Sequence, residues 1–411
     1  MESHRKENRL QPLSGLVDPA AHEPLADEAW SEPKARDAIA RIAADAEQAF
    51  DERALWQSHP LDEEPDPLPP IASVFLGASG VIWALVALAR DGAVELRRSW
   101  DGTARGLHER YLATPDFPEE VGGAVPSLWD GESGILLVAH ALAPSAEQEE
   151  RLLACVRANA ANPTRELMWG SPGTMLAAQL MLERTGDERF SEAWGESADR
   201  LWEEWRDEVW LQELGGTPVR YLGPAHGFAG NVFALARGDL LERGRRAELE
   251  RRTIAVVSAH AERADGLAQW PISPEHPIWH QDTVRTQWCH GAPGIVASLA
   301  SLAPGEVELT ELLAAGGELT WRAGPLAKGP GLCHGTAGNG YAFLKLFERT
   351  GDELWLVRAR AFAMHALAQV EWMRTRYGRG RHTLWTGDPG AALYAWSCVA
   401  GTADVPTLDR F

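Results

Sequence analysis

A Gly-x-x-Gly pair recurs along this chain at 77/80, 131/134, 170/173, 227/230, 291/294, 335/338 and 387/390, and each pair opens an apolar run of helical length. One such pair carries little weight, because glycine is common in turns of every kind. Seven in register describe a repeat, and a repeat constrains the fold more than any local pattern. Successive first glycines stand 39 to 64 residues apart, room for two helices and their loops in each unit. The agreement extends beyond glycine: Glu183-Arg-Thr-Gly-Asp-Glu188 and Glu348-Arg-Thr-Gly-Asp-Glu353 occupy the same offset in their units.

The runs behind the glycines, such as Val81–Leu88, Ile135–Leu142 and Ile295–Leu302, carry few charges, as expected of helices covered on most sides. The segments between them, such as Arg246–Arg263 and Asp352–Gln369, are charged on one face and read as outer helices. Inner and outer helices alternating seven times predict an all-α chain folded as a seven-unit α/α toroid, a double-layered helical barrel. The loops before the inner helices would meet at its mouth. No strand is expected before the glycines, which excludes a Rossmann reading.

A closed repeat also accommodates 411 residues, 45% of them hydrophobic, which is more than one ordinary core holds. With 59 acidic against 39 basic side chains the formal charge is -20, which repels phosphate backbones, so nucleic acid is not expected as a partner. Cysteines 155, 289, 333 and 398 show no C-x-x-C pairing, which points to a reducing, cytoplasmic setting. Met1 to Gln11 lacks the apolar core of a signal peptide. Ile71 to Ala89 is uncharged and long enough to cross a bilayer, but Gly77, Ser79 and Gly80 place a repeat loop inside it, so no membrane span is expected.

Residues 1–70 read as an extension. Residues 1–32 lack apolar periodicity and are expected to be disordered. Ala38, Ile42, Ala46 and Phe50, with Ile39 and Ala43, mark an amphipathic helix, and His59 to Pro70 form an acidic, proline-rich linker. The barrel is expected to span residues 71–411.

Aligning the units on their first glycine turns distant residues into neighbours. Just before that glycine stand Leu76, Asp130, Trp169, His226, His290, His334 and Thr386, and one position earlier units five and six both have cysteine, Cys289 and Cys333. Two thiols at one loop position of adjacent units converge, and with a histidine they make a zinc site that keeps an open position. Phase alone does not separate His290 from His334. Cys155 and Cys398 lie inside helical runs and read as core thiols.

Trp288-Cys-His-Gly-Ala-Pro-Gly294, Gly331-Leu-Cys-His-Gly-Thr-Ala-Gly-Asn339 and Ala225-His-Gly-Phe-Ala-Gly230 together resemble the motifs of lanthionine synthetase C-like proteins, over about residues 71–411. The resemblance, to the stand-alone form without a dehydratase domain, implies a seven-unit α/α barrel. It implies one zinc per chain held by Cys289, Cys333 and His334, with His290 outside the set. His226 matches the acid/base residue and Arg285 an active-site arginine. The aspartate that cyclases carry near the second-unit glycines falls on Ser127, leaving Asp130 or Glu132 to replace it. The C-terminal part, including Tyr341-Ala-Phe, is similar to the branch that binds glutathione. Lys328 matches a glutathione-contacting lysine, while the partner arginine falls on Thr375 between Arg374 and Arg376.

The implied reaction is addition of a thiol to a dehydroalanine or dehydrobutyrine to form a thioether. The substrate would be a dehydrated peptide or protein, with glutathione as the alternative thiol source. A zinc- or glutathione-binding regulatory protein without turnover is the first competing reading. The second is an α/α toroid glycoside hydrolase using a carboxylate pair from Asp130, Glu132 and Asp388. Metal content separates the classes. Purified protein is expected to carry about one zinc per chain, with Cys333→Ala losing it and Cys155→Ala and His290→Ala keeping most of it; equal zinc in the Cys333 and Cys155 variants would remove the site.

Overall fold

The computed structural model describes residues 15–62, 68–117, 122–275 and 284–411. Among them are fourteen α-helices. Seven follow the glycine pairs and form the inner layer: α2 (Ala78–Arg90), α4 (Glu132–Leu142), α6 (Ser171–Thr185), α8 (Phe228–Ala236), α10 (Ala292–Leu299), α12 (Thr336–Thr350) and α14 (Asp388–Ala400). Each packs on the next, and α14 packs on α2, so the ring is closed. The outer layer is α1 (Glu32–Ala49), α3 (Asp101–Ala113), α5 (Ala146–Asn159), α7 (Glu188–Glu203), α9 (Arg243–Ala259), α11 (Val307–Ala323) and α13 (Glu353–Tyr377). The all-α toroid expected from the repeat is the observed fold.

The glycines have a spatial reason. A Cβ on the second glycine of any pair would fall under 3.0 Å from the carbonyl oxygen of the residue six positions earlier, in all seven units. The same Cβ would lie within 3.2 Å of a side chain of the preceding unit: Leu384 for Gly80, Val74 for Gly134, Leu128 for Gly173, Leu167 for Gly230, Pro224 for Gly294, Trp288 for Gly338 and Leu332 for Gly390. Each inner helix therefore begins pressed against its own loop and its neighbour's. The contact runs round the ring and returns from unit seven to unit one.

Backbone hydrogen bonds join the same loops head to tail. Cys289 N donates to Cys333 O (3.0 Å), Cys333 N to Trp385 O (2.8 Å), Trp385 N to Phe75 O (3.2 Å) and Phe75 N to Trp129 O (3.0 Å). All five residues stand two positions before a first glycine, so equal register in sequence becomes adjacency in space. Phe75, Trp129, Trp288 and Trp385 come from different sides of the ring, yet their rings meet with centroids 4.5 to 6.2 Å apart and fill the barrel axis beneath the mouth.

The far end is shut by the C-terminal residues. Thr407 accepts the Trp129 indole N–H (3.1 Å), Arg410 pairs with Asp91 (2.6 Å), and the carbonyls of Asp409 and Phe411 accept from Arg237 and Arg184. Asp91, Arg184 and Arg237 mark the C-terminal ends of inner helices, opposite the mouth, while Trp129 reaches Thr407 from the mouth loops.

Three expectations change. Residues 15–32 were expected to be disordered, and those described are ordered: a short 3-10 turn spans Pro19–Ala21, Glu23 N donates to Pro325 O (2.9 Å) and Ala327 N to Ala21 O (3.0 Å). Backbone pairing with the loop before unit six holds this segment despite its polar composition; residues 1–14 lie outside those described. The helix expected in the extension, α1, buries Ala35, Ala38, Ile39, Ile42, Ala43 and Ala46 and packs on α13 and α14. It supplies the outer helix of the seventh unit, so the boundary expected near Ile71 does not separate it from the barrel. Asp45 on its inner face holds Arg374 (2.6 Å) and His382 (2.9 Å). In the linker, residues 63–67 lie outside those described, while Asp62 pairs with the buried Arg381.

Strands do precede two glycine loops, contrary to expectation. β1 (Gln212–Leu214) pairs with β2 (Thr217–Val219), and β3 (Glu262–Ala264) with β4 (Leu267–Gln269), as antiparallel hairpins. The turns Gly215-Gly216 and Asp265-Gly266 have φ of 56° and 75°, and 52° and 76°, as two-residue hairpin turns require.

The packing predicts opposite outcomes for two glycines. Gly134→Ala must displace a carbonyl and the Val74 side chain, and is expected to cost about 3 kcal/mol. A Cβ on Gly195, in outer helix α7, meets nothing within 4 Å, so Gly195→Ala should stabilise by about 0.5–1 kcal/mol. Urea unfolding of both variants checks this, and equal effects would refute the ring contact.

Candidate functional site

The inner loops of units five and six bring together Cys289, Cys333 and His334, whose donor atoms all lie within 4.8 Å of one another. Cys289 sits in a tight loop closed by Gln287 N donating to His290 O (3.0 Å) and His290 N to Gln287 O (3.1 Å). Its end passes into α10 through Gly291, whose φ of 104° is open to glycine and rarely to other residues. Buried Gln269 fastens this end, accepting the Ala292 N–H (2.6 Å) while donating to Thr286 (2.8 Å) and to Leu16 O (3.2 Å).

The two thiols are electrically unequal. Sharing a proton with Cys333 in a hydrogen bond outweighs the cost of burial for Cys289 and, with help from the Gln287 amide (2.9 Å), lowers its thiol from the ordinary range. The same bond, and burial, push Cys333 well above the ordinary thiol range. Burial takes His334 down to about 4, helped by the Lys328 and Arg381 charges, so its imidazole is neutral at pH 7 with a lone pair to give.

His226, on the loop before α8, lies on the same mouth. Its Nδ1 is 3.0 Å from Oε2 of Glu166, which is fully buried. The remaining capacity of that carboxylate is taken by the N–H groups of Met168 (2.9 Å), Trp169 (2.7 Å) and Gly170 (3.2 Å). Burial opposes a charged His226, but Glu166 more than compensates and its pKa is raised. With Nδ1 committed to Glu166, Nε2 is the ring nitrogen left for proton exchange.

The other predicted residues separate. His290 does not join the three donors: its ring lies edge-on to Tyr221 (5.5 Å) and near-parallel to His226 (6.3 Å), and burial pushes it down to about 3. Arg285 is exposed and its charge acts on Cys289, His290 and His334. Lys328 is exposed and its charge acts on Cys333 and His334. Arg374 is tied to Asp45, Arg376 stacks on Trp372 (5.5 Å) and Tyr377 (5.7 Å), and Thr375 bonds its own helix. Cys155 and Cys398 are buried thiols pushed up to about 12.

Of the candidate carboxylates, Glu132 faces outward to His108 (2.9 Å) and Arg151 (2.7 Å) on outer helices. Asp130 is buried and near enough for its charge to act on His226 and Cys333. Burial pushes Asp388 up to about 7 beside the Arg381 backbone. Engaged away from the mouth, Glu132 is not placed to serve in the facing carboxylate pair that a glycoside hydrolase requires. The carboxylate on His226 is Glu166, which the sequence reading missed. It stands four residues before the first glycine of unit three, the register that Ser127 occupies in unit two.

The geometry can be set beside known proteins. The family model described as "Lanthionine synthetase C-like protein" matches residues 124–408. LanC-like protein GCL1 of Arabidopsis thaliana is 34% identical over 158 residues, 38% of this chain and 34% of that protein. Glutathione S-transferase LANCL1 of Danio rerio is 32% identical over 196 residues, 47% of this chain and 42% of that protein. The chain thus spans less than half the length of these curated relatives. Among solved structures, nisin cyclase superposes with a TM-score of 0.55 over 90% of this chain and 100% of that one, at 14% identity, a likeness of fold. No helix among the described residues is long and apolar enough to cross a membrane. With most of its length matched by the family model, this chain belongs to the lanthionine synthetase C-like family.

Proposed function

We propose that the chain is an enzyme that adds a thiol to a dehydroamino acid of a peptide or protein, forming a thioether. The observation that carries the reading is the convergence of Cys289, Cys333 and His334 on one mouth with the Glu166–His226 pair. Two thiols and a neutral imidazole fit a tetrahedral zinc with one position left for substrate. Zinc held there by Cys289, Cys333 and His334 would supply the positive charge that keeps a substrate thiol deprotonated near neutral pH.

The protein's own groups act at the other reactant. In the addition, the thiol releases its proton to solvent, and the C–S bond forms at the β-carbon as the Cα=Cβ π bond of the dehydro residue breaks. The α-carbon gains a proton from an acid that solvent then recharges. His226 delivers that proton through Nε2. Glu166 holds Nδ1–H, fixes the ring and, by raising the imidazole's pKa, favours its protonated form. Arg285, exposed at the rim, steadies the negative charge that develops on the acceptor carbonyl.

The name of the Danio rerio relative speaks of glutathione, and that of nisin cyclase of ring closure. Lys328, exposed and electrically close to Cys333 and His334, suits an anionic thiol donor such as glutathione. An internal cysteine of a dehydrated peptide needs no such cation. A reducing compartment, the cytoplasm, suits a site built on free thiols. The buried carboxylate that raises the His226 pKa favours an acid with turnover over a regulatory protein without it.

His226→Asn should retain metal and fold, yet slow thioether formation by about 100-fold, measured by mass spectrometry on a dehydroalanine peptide with glutathione or an internal cysteine. Wild-type rates in that variant would remove His226 from the mechanism. Glu166→Gln has a different signature. Because Glu166 raises the His226 pKa and the acid must carry its proton, losing that charge should move the alkaline limb of the rate profile to lower pH. An unmoved limb would make Glu166 a scaffold residue only.

A further inference from the structure

We propose that Gln287 is a positioning residue of the metal centre, whose side-chain amide donates to the sulfur of Cys289 and makes the two cysteines unequal donors. The inference rests on the reading of Cys289, Cys333 and His334 as the ligands. Gln287 is buried, and its Nε2 stands 2.9 Å from Cys289 Sγ. The two-residue loop that it closes with His290 leaves little freedom to either residue. Asn339 secures the preceding position, donating to Thr286 O at 2.9 Å.

The asymmetry is written into the repeat. Gln287 lies four residues before the first glycine of unit five, and the same position in unit six is Gly331. A Cβ there would lie 2.6 Å from Thr386 O, so unit six has no room for a matching side chain. The backbone N–H of Cys333 is also committed, to Trp385 O. One sulfur therefore receives an amide bond that its partner is denied.

A hydrogen bond to thiolate draws electron density from sulfur, as outer groups do to the ligands they touch. Two undiminished thiolates would neutralise a divalent ion and leave little attraction for a third sulfur. Weakening Cys289 alone keeps the ion electron-poor enough to take an incoming thiol, while Cys333 and His334 retain their full hold.

The test is spectroscopic. Gln287→Met keeps length and burial but has no donor, so cobalt(II)-loaded variant should show its sulfur-to-cobalt charge-transfer band at longer wavelength than wild type. Cys155→Ala, a thiol away from the site, should leave the band in place. The wild-type chain supplies a measurement that needs no variant: with cadmium-113 bound and glutamine side chains labelled with nitrogen-15, the Gln287 amide should show scalar coupling to cadmium through the sulfur. An unshifted band in folded, cobalt-loaded Gln287→Met, or no coupling in the cadmium protein, overturns the proposal. Wild-type protein that takes up neither metal overturns the ligand assignment itself.

Discussion

Everything in this fold hangs on a contact that excludes one carbon atom. The second glycine of each pair lies against the carbonyl six residues behind it and against a side chain of the unit before, with no space for a Cβ. Because the contact links a unit both to itself and to its neighbour, it sets the step of the ring. The outer helices and their loops vary in length around it. The head-to-tail backbone bonds of the mouth follow from the same step, since loops held in equal register present equal N–H and C=O groups to one another. A metal-capable pair of cysteines is then a matter of placing the same residue type at one position of two successive units.

The chemistry of the mouth is tuned in part by groups that never need to touch a substrate. Glu166 is fully buried and satisfied by three backbone N–H groups as well as His226, so its hydrogen-bonding capacity is met where water is excluded. Cys289 and Cys333 share one hydrogen bond that divides their acidities. Lys328 and Arg285 add positive charge at the rim of a chain whose overall charge is -20.

Repetition made most of this legible beforehand. The seven inner helices and the meeting of Cys289, Cys333 and His334 could be read because equal phase implies equal place. What escaped was set by contacts between distant residues. Glu166 was in the right register, but attention to unit two found Ser127 there, and nothing local says that unit three faces His226. The two hairpins were announced by Gly215-Gly216 and Asp265-Gly266, yet strands of three residues are too short for alternation to show. The role of α1 was hidden for a different reason. Its apolar stripe was plain, but a stripe does not name its partner, and the partners lie more than 300 residues away.

That separation bears on how the chain reaches its folded state. α1 leaves the ribosome first among the helices, and the surfaces that cover it, α13 and α14, leave last. Until then its row of alanines and isoleucines has no place to dock, and the carboxylate of Asp45 waits for Arg374 and His382. Loop closure over more than 300 residues is a slow, entropically costly step, and it waits until α13 and α14 have been made. The ring is therefore completed only when its last unit meets α1.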